Sequence, residues 1–210
     1  MKKSLVMIIG IVCISIVGWF IFGNKKEITN GMEERLFGRN LIVDAKTDVM
    51  PDLASIENKA EMIVIGKKVV QENPTVIYNQ EDRIDVAYTL SNFLVQKVIS
   101  GDEVQSGMEI TILENEAYNK REDITYHIAG YELMKEDNEY LLFLRKSTTD
   151  PYYIIIGNNY GKVPLQNETS ALREAVQKAN TSYATEKLSE WAREDKVKQQ
   201  ALEKYASYLD

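Results

Sequence analysis

The chain has 210 residues, with 25 basic and 32 acidic side chains, and its formal net charge at pH 7 is −7. Setting aside Lys2 and Lys3, which precede the first apolar run, leaves 23 basic residues against 32 acidic ones. This balance argues against nucleic acid as a partner, because nucleic-acid binding depends on a basic surface that displaces counterions from phosphates. It also argues against adhesion to an anionic membrane surface.

A run of 19 residues without a charged side chain opens the chain, from Ser4 to Phe22. As a helix it would be about 28 Å long at about 1.5 Å per residue, close to the roughly 30 Å hydrocarbon core of a bilayer. Trp19 and Phe20 near its end fit the aromatic belt at a membrane interface. The run predicts a transmembrane segment over residues 1–23, and therefore a membrane as one partner.

Two other interpretations of this run are less well supported. A cleaved secretory signal has an apolar region of about 7–15 residues followed by a small-x-small cleavage site, and residues 18–24 (GWFIFGN) contain no Ala-x-Ala pattern. A lipoprotein signal needs a small residue before the acylated cysteine, whereas Cys13 follows Val12 in the middle of the run. An uncleaved, single-pass signal anchor is therefore favoured.

The charges that flank the anchor orient it only weakly, since lysine pairs stand on both sides of it, at positions 2–3 and 25–26. Because the N-terminal tail is very short, the favoured orientation places it in the cytoplasm and the rest of the chain outside the cell membrane. Cys13 is the only cysteine. An extracytoplasmic domain beyond the anchor would thus contain no disulfide and depend on packing alone.

After a polar linker over residues 24–47, residues 48–166 have the pattern of a small β-barrel domain. A short helix is predicted over 51–60, with Pro51 suited to the first turn. Extended segments are predicted at 62–70 (with a bend at Gly66), 86–99, 108–113, 140–144, 152–156 and from 163 onward. Residues 114–123 are predicted to form a loop, and residues 124–134 fit either a short strand or a turn of helix.

Residues 167–210 have the spacing of amphipathic helices. Leu172, Val176, Ala179 and Tyr183 recur at helical intervals. The pattern fits one long helix or two shorter ones joined near residues 180–182. The predicted fold class is therefore α+β, with an N-terminal transmembrane helix, a five-stranded OB-like β-barrel and C-terminal amphipathic helices.

The barrel segment resembles a known group of proteins over residues 56–163, about half the chain. The matching features are the helix ending at Ala60, residues 63–69 (IVIGKKV), Tyr88-Thr89, 95–101 (VQKVISG), 109–112 (EITI), 139–144 (EYLLFL) and Gly161-Lys162-Val163. They resemble bacterial membrane-anchored or secreted proteins of uncharacterised function with an OB-fold-like barrel, similar in outline to the netrin-like module of the tissue inhibitors of metalloproteinases. Those inhibitors act through an N-terminal cysteine that this domain lacks, so the resemblance implies a fold and no activity.

The sequence contains no recognisable catalytic constellation. His127 is the only histidine, and no nucleophile motif accompanies it. One histidine without a domain cysteine leaves only carboxylates as zinc ligands, so neither a metal nor another cofactor is predicted. The carboxylate pairs Glu114/Glu116 and Asp137/Glu139 could serve a glycosidase, but both occur at predicted turns, where solvated charge is the ordinary state.

Tyrosine is the one enriched residue type, with 12 copies. On the binding face of an OB-type barrel, tyrosines can stack on sugars or fill protein interfaces. The alternative is that tyrosine simply suits half-buried strands. The candidate ligand-binding residues are Tyr126, Tyr131, Tyr152, Tyr153 and Tyr160.

The sequence thus predicts a membrane-tethered extracytoplasmic binding or assembly module, with a protein or a cell-wall ligand as a further partner. The alternative is a hydrolase of wall polymer that uses a carboxylate pair. A purely structural spacer is a third interpretation. Carboxylates about 5–9.5 Å apart in a cleft would favour the hydrolase.

Overall fold

A computed structural model describes residues 35–45 and 50–209. The predicted transmembrane segment, residues 1–23, lies outside the described residues, as does most of the predicted linker. Among the residues that are described, no helix is long and apolar enough to cross a bilayer.

Strands are the commonest regular element of the described chain, and the two longer helices lie at its C-terminal end. The strands are β1 (Leu36–Phe37), β2 (Asn40–Val43), β3 (Met62–Gln71), β4 (Thr75–Tyr78), β5 (Ile84–Ser100), β6 (Glu109–Glu114), β7 (Glu116–Asn119), β8 (Ile124–Ile128), β9 (Glu139–Lys146), β10 (Tyr153–Ile155) and β11 (Lys162–Pro164). The helices are α1 (Leu53–Glu57), α2 (Ala171–Lys178) and α3 (Ser182–Lys204), followed by a 3₁₀ turn, Ala206–Tyr208.

Five strands close into a barrel. Following the hydrogen bonds around the sheet gives the order β3, β5, β6, β10, β9 and back to β3. The pairing of β10 with β6 is parallel, and the other four pairings are antiparallel. The predicted α+β class and the small closed five-stranded barrel are therefore confirmed. β4 and β11 extend the barrel by pairing with β5 and β9.

The continuous apolar runs of β3 and β9 are buried on both faces of the sheet. Val64 and Leu142 point into the barrel interior, where they pack with Phe93. On the outside, residues of the same two strands pack beneath α3 in a second cluster, which includes Ile65, Leu141, Phe143, Val197, Ala201 and Tyr205. All residues of β9 from position 140 to 144 are buried, as the unbroken apolar run predicts. The helical tail therefore packs on its own barrel.

Gly66 lies at the predicted bend of β3, where the register with β5 shifts. A Cβ atom built at this position would lie 2.1 Å from the carbonyl oxygen of Leu94 and 2.6 Å from the ring of Phe93. Only a residue without a side chain lets β5 approach this closely. The glycine thereby allows strongly curved strands to close around a small core.

A second sheet, in the order β1, β2, β8, β7, flanks the barrel. It corrects the prediction of a loop over residues 114–123, because β7 lies within this stretch. The inward positions of β7 carry Ala117 and Asn119, both buried, rather than large aliphatic residues. The strand therefore looks polar in sequence. The ambiguous stretch 124–134 begins with the strand β8.

Strands β1 and β2 lie within the segment predicted as a linker. Phe37 and Ile42 are buried in a cluster with Leu172, Val176 and Trp191 of the two C-terminal helices. β2 also pairs in parallel with β8. The burial of Phe37 and Ile42 and the pairing with β8 fix β1 and β2 to the rest of the domain.

The C-terminal tail forms two helices. The Ser170 hydroxyl accepts a hydrogen bond from Arg173 N at the start of α2, and the Thr181 hydroxyl accepts one from Ala184 N at the start of α3. Between the helices, Ala179 has extended backbone angles. The Thr181 cap starts a new helix close to the predicted junction at residues 180–182, and α3 runs back across the barrel.

Candidate functional site

A cavity of about 310 Å³ lies between the barrel and the two C-terminal helices. We call it the barrel–helix cleft. Its walls are the segment between β8 and β9, strand β11 with the residues that follow it, and facing parts of α2 and α3. The polar lining residues used below are Glu132, Lys135, Lys162, Glu168, Ser170, Arg173, Asp195 and Lys198. The volume is at the lower end of the range for small-molecule sites.

The first wall of the cleft is held in place by a buried carboxylate. Glu114, at the end of β6, is completely buried. Its Oε2 accepts hydrogen bonds from the hydroxyl of Tyr131 (2.9 Å) and from the backbone N of Met134 (2.6 Å). Its Oε1 accepts from Ser91 Oγ on β5. One side chain thus fixes both ends of the segment 131–134 to the barrel.

Lys68 on β3 supplies the charge that balances Glu114. Its Nζ lies 3.0 Å from Glu114 Oε1, and neither side chain is exposed. The same ammonium donates to the carbonyl oxygen of Met134 (2.7 Å) and to Gln71 Oε1 (2.9 Å). All three protons of the ammonium therefore have acceptors, as a buried lysine requires.

Lys162 on β11 forms the floor of the cleft. Only 6% of this residue is exposed, and its Nζ lies 3.9 Å from the ring centroid of Tyr131. The ammonium also donates to the carbonyl oxygen of Glu132. Burial lowers the pKa of Lys162 to about 8, against the opposing effect of the Glu114 charge; Lys198 lowers it further. A cation–π contact and one neutral acceptor thus hold this lysine.

The helices supply the opposite wall. Arg173 donates two hydrogen bonds to Asp195, at 2.6 and 2.9 Å, and its guanidinium lies 5.1 Å from the ring centroid of Trp191. Lys198 is half-buried on the same side of α3. Burial lowers the pKa of Lys198, against the charge of Glu194. Two cations therefore face Lys162 across the cavity.

The acidic and basic residues of the cleft differ in how they are paired. The carboxylate of Glu132 accepts from Ser170, that of Glu168 from Asn138 and Tyr140, and that of Asp195 from Arg173. Within the described part of the chain, no carboxylate lies within 4 Å of the Nζ of Lys135, Lys162 or Lys198. The basic residues that line the cleft outnumber the acidic ones by one, and its three lysines have no carboxylate in contact, although the chain as a whole is acidic.

Glu194 lies behind this wall, on α3. It is buried, and its Oε2 has no hydrogen-bond partner. The nearest guanidinium nitrogen of Arg173 is 3.9 Å away. Burial raises the pKa of Glu194 to about 7; the charges of Lys198 and Arg173 oppose this rise, and Glu190 adds to it. Glu194 therefore gains a proton near neutral pH.

The predicted tyrosine face is not brought together at one place. Tyr131 and Tyr153 belong to the barrel interior cluster, Tyr160 to the cluster beneath α3, and Tyr126 to a cluster of the second sheet. Tyr152 is half-buried, and its hydroxyl lies 3.3 Å from Asp150 Oδ2. Of the five candidates, Tyr131 is the one whose ring packs against a lysine of the cleft, Lys162.

The other residues considered from sequence have internal partners. His127 is buried; its Nδ1 lies 2.8 Å from the carbonyl oxygen of Tyr131 and 3.0 Å from Glu116 Oε2, and its Nε2 lies 3.0 Å from Asn40 Oδ1. Burial lowers the pKa of His127, but the hydrogen bond and charge of Glu116 outweigh it and raise the pKa overall. Glu114 is the buried carboxylate described above.

The described residues contain no group of three or more His, Cys, Asp or Glu side chains that could hold a metal ion.

Sequence reasoning missed the lysines of the cleft. One signal was present for Lys162, which stands alone among the apolar and glycine residues of 160–165. For Lys198 the signal was its helical spacing from Glu194, which places both on one face of α3.

No protein-family model matches the sequence, and no curated protein matches it either.

The first prediction concerns the ion pair that holds the first wall. Glu114→Gln leaves the Lys68 ammonium buried without a counter-charge, and we expect a loss of about 3–5 kcal/mol in the free energy of unfolding. Lys68→Met should cost a similar amount. The double variant should cost less than the sum, because it leaves neither charge behind. Urea unfolding of all four proteins measures this coupling.

The matched control is the exposed pair Lys146–Glu103, whose side chains are 55% and 47% exposed at a separation of 3.1 Å. The same double-variant cycle there should give a coupling of at most about 1 kcal/mol. Equal coupling at the two sites would contradict the role assigned to the buried pair.

The second prediction concerns Glu194. Its raised pKa means that ionisation opposes folding: the penalty is absent well below pH 4.5, grows as the pH rises, and is complete above about pH 7. Glu194→Gln should therefore stabilise the protein by about 1–3 kcal/mol at pH 8, and by progressively less as the pH falls. Thermal unfolding at pH 8 and pH 5.5 tests this. Glu186→Gln, on an exposed position of the same helix, should have no such pH-dependent effect.

Proposed function

We propose that this chain is a membrane-tethered extracytoplasmic module that binds a ligand, and that the barrel–helix cleft is its binding site. The observation that carries the proposal is the cleft itself: a concave cavity whose lysines have no contacting carboxylate. Lining cations without a carboxylate in contact are available to an external anionic group. The uncharged run over residues 4–22 supports the tether, and the single cysteine within it is consistent with an extracytoplasmic domain without disulfides.

The order of the barrel strands supports an OB-like barrel as the finer description of the fold. Numbered from β3 as the first strand, the ring reads first, second, third, fifth, fourth, and the third and fifth strands run parallel. A five-stranded Greek-key barrel is the architecture expected of that class. Binding by small barrels of this kind supports a ligand-binding role only by analogy.

The tyrosine hypothesis is narrowed in this proposal to Tyr131, which acts as a positioning residue beneath Lys162. Tyr126 is buried in a cluster of the second sheet and Tyr160 in the cluster beneath α3, and Tyr152 and Tyr153 are half-buried on the barrel.

A hydrolase that uses a carboxylate pair is less well supported. Glu114 is fully buried and hydrogen-bonded on both oxygens, so a polymer cannot reach it. Glu116 accepts from the backbone N of Leu133 and contacts His127. Asp137 is 84% exposed and contacts Lys67, which is the state of an ordinary surface carboxylate rather than of a general acid.

The tether is tested with the full chain carrying a C-terminal epitope tag in a bacterial host. We expect the protein to stay with membranes after an alkaline wash, and protease added to intact protoplasts should remove the tag. The variant Ile11→Arg/Ile14→Arg should leave the membrane fraction, because each arginine at the centre of a span costs about 2.5–3.5 kcal/mol. A tag that is protected until the cells are lysed would overturn the extracytoplasmic orientation.

Ligand binding in the cleft is tested by photo-crosslinking in intact cells. A photoreactive amino acid replaces Gln199, an exposed residue at the cleft; the matched control replaces Gln96, an exposed residue of β5 outside the cleft. We expect an adduct of the full chain at position 199 and none at position 96. Equal adducts at both positions, or none at position 199, would overturn the cleft as the binding site.

A further inference from the structure

We propose that the barrel–helix cleft binds a phosphoryl group on a small organic ligand, with Lys162 and Lys198 as the residues that contact its oxygens. This inference rests on the proposed function, because it specifies the ligand chemistry of the same site. It is distinct from the tyrosine face predicted from the sequence.

The first argument is the balance of charge inside the cavity. The carboxylates of Glu132 and Glu168 accept hydrogen bonds from neutral donors, and Arg173 donates two hydrogen bonds to Asp195. Lys162 contacts only a carbonyl oxygen and an aromatic ring. Lys198 has no hydrogen-bond acceptor among the described residues. Once the Arg173–Asp195 pair is set aside, the lining holds three lysines against the carboxylates of Glu132 and Glu168, an excess of one positive charge. Neither Lys162 nor Lys198 has a carboxylate in contact, and the oxygens of a phosphomonoester, which carries about −1.5 to −2 charge at pH 7, supply such a contact.

The second argument is the cost of keeping Lys162 buried. An ammonium group that has lost most of its hydration is stabilised strongly by a charged acceptor placed beside it. Lys162 is held in the cavity by Tyr131, whose hydroxyl is in turn fixed by Glu114. The lysine is therefore placed before a ligand arrives, and little side-chain entropy is lost on binding.

The third argument is the apolar part of the lining. Leu133, Val163, Pro164 and Leu202 line the same cavity as the lysines. Together with a volume of about 310 Å³, they leave room for a short carbon skeleton next to the charged group. A phosphate ester of a small polyol has this combination of a dianionic head and a compact organic body.

The test uses the full chain in phosphatidylcholine nanodiscs, titrated calorimetrically with glycerol 3-phosphate at pH 7.5. We expect a dissociation constant below about 1 mM. Lys198→Gln and Lys162→Met should each weaken binding by about tenfold or more. Lys196→Gln, an exposed lysine of the same helix, should change it by less than about twofold. Lys198→Arg, which keeps the charge, should retain most of the affinity. Thermal unfolding verifies that each variant is folded.

The affinity should fall between pH 7.5 and pH 9.5. The phosphate ester keeps its charge over this range, because its second pKa is about 6, whereas Lys162 has a pKa of about 8 in the free protein and loses its proton. The charged groups acting on Lys162 are Glu114, Glu132, Glu168 and Lys198. Those acting on Lys198 are Glu194, Arg173, Asp195 and Glu168. In Lys162→Met the decrease should be smaller.

Further ligands identify the chemistry and its source. Succinate, a dicarboxylate dianion, should bind at least about tenfold more weakly than glycerol 3-phosphate; equal binding would overturn the phosphoryl assignment. Phosphatidylcholine vesicles that contain phosphatidic acid test a lipid headgroup as the source. Binding of these vesicles that Lys198→Gln abolishes would support the phosphoryl chemistry and assign it to a lipid.

The failure of this inference is distinguishable from that of the proposed function. If position 199 crosslinks in cells but neither phosphate ligand binds, the cleft is a binding site and the phosphoryl inference is wrong. If Lys198→Gln and Lys196→Gln weaken phosphate binding equally, the effect is general surface charge, and the inference is again wrong.

Discussion

The buried ion pair between Lys68 and Glu114 is the interaction on which the described architecture depends most. Two charges with no exposure are tolerated only where hydrogen bonds replace the lost hydration. Here the carboxylate takes four donors from β3, β5 and the segment after β8. The ammonium adds Gln71 and the Met134 carbonyl. The pair therefore ties a segment with little regular structure, residues 131–134, to strands β3, β5 and β6 of the barrel.

The same pair determines what the cleft can do. By fixing the Tyr131 hydroxyl, Glu114 sets the plane of the ring against which the Lys162 ammonium packs at 3.9 Å. By fixing Met134, it places the preceding backbone, including the Glu132 carbonyl that accepts from Lys162. Tyr131 thus links the buried Glu114 carboxylate to Lys162 in the cleft: its hydroxyl donates to Glu114, and its ring contacts the Lys162 ammonium.

The sequence predicted those parts of the fold that are set by local apolar pattern. The apolar runs at 62–65 and 140–144 are unbroken because both faces of β3 and β9 are buried there, and the pattern alone predicts this. β7 was missed because Ala117 and Asn119 occupy its inward positions, so the pattern contains no large apolar residue. The cleft was missed for a different reason. Lys162 and Lys198 line the same cavity only because α3 turns back across the barrel, and no local sequence pattern predicts that arrangement.

The acidity of the whole chain and the cationic cleft have complementary consequences. The acidic exterior repels anionic surfaces. Because exposed charges act over only roughly 8 Å at physiological ionic strength, the lysines of the cleft do not attract phosphate groups that stay outside it. Inside the cleft, salt and water screen charges less than at the surface. In the proposed binding mode, a small anion that enters would therefore interact with Lys162 and Lys198 at short range. In the proposed binding mode, charge and size would select together: a compact anion would enter the cavity, whereas a flat anionic surface would meet only the acidic exterior. A binding site of this kind is compatible with a tether to a membrane, because it discriminates against the surface to which the chain would be attached.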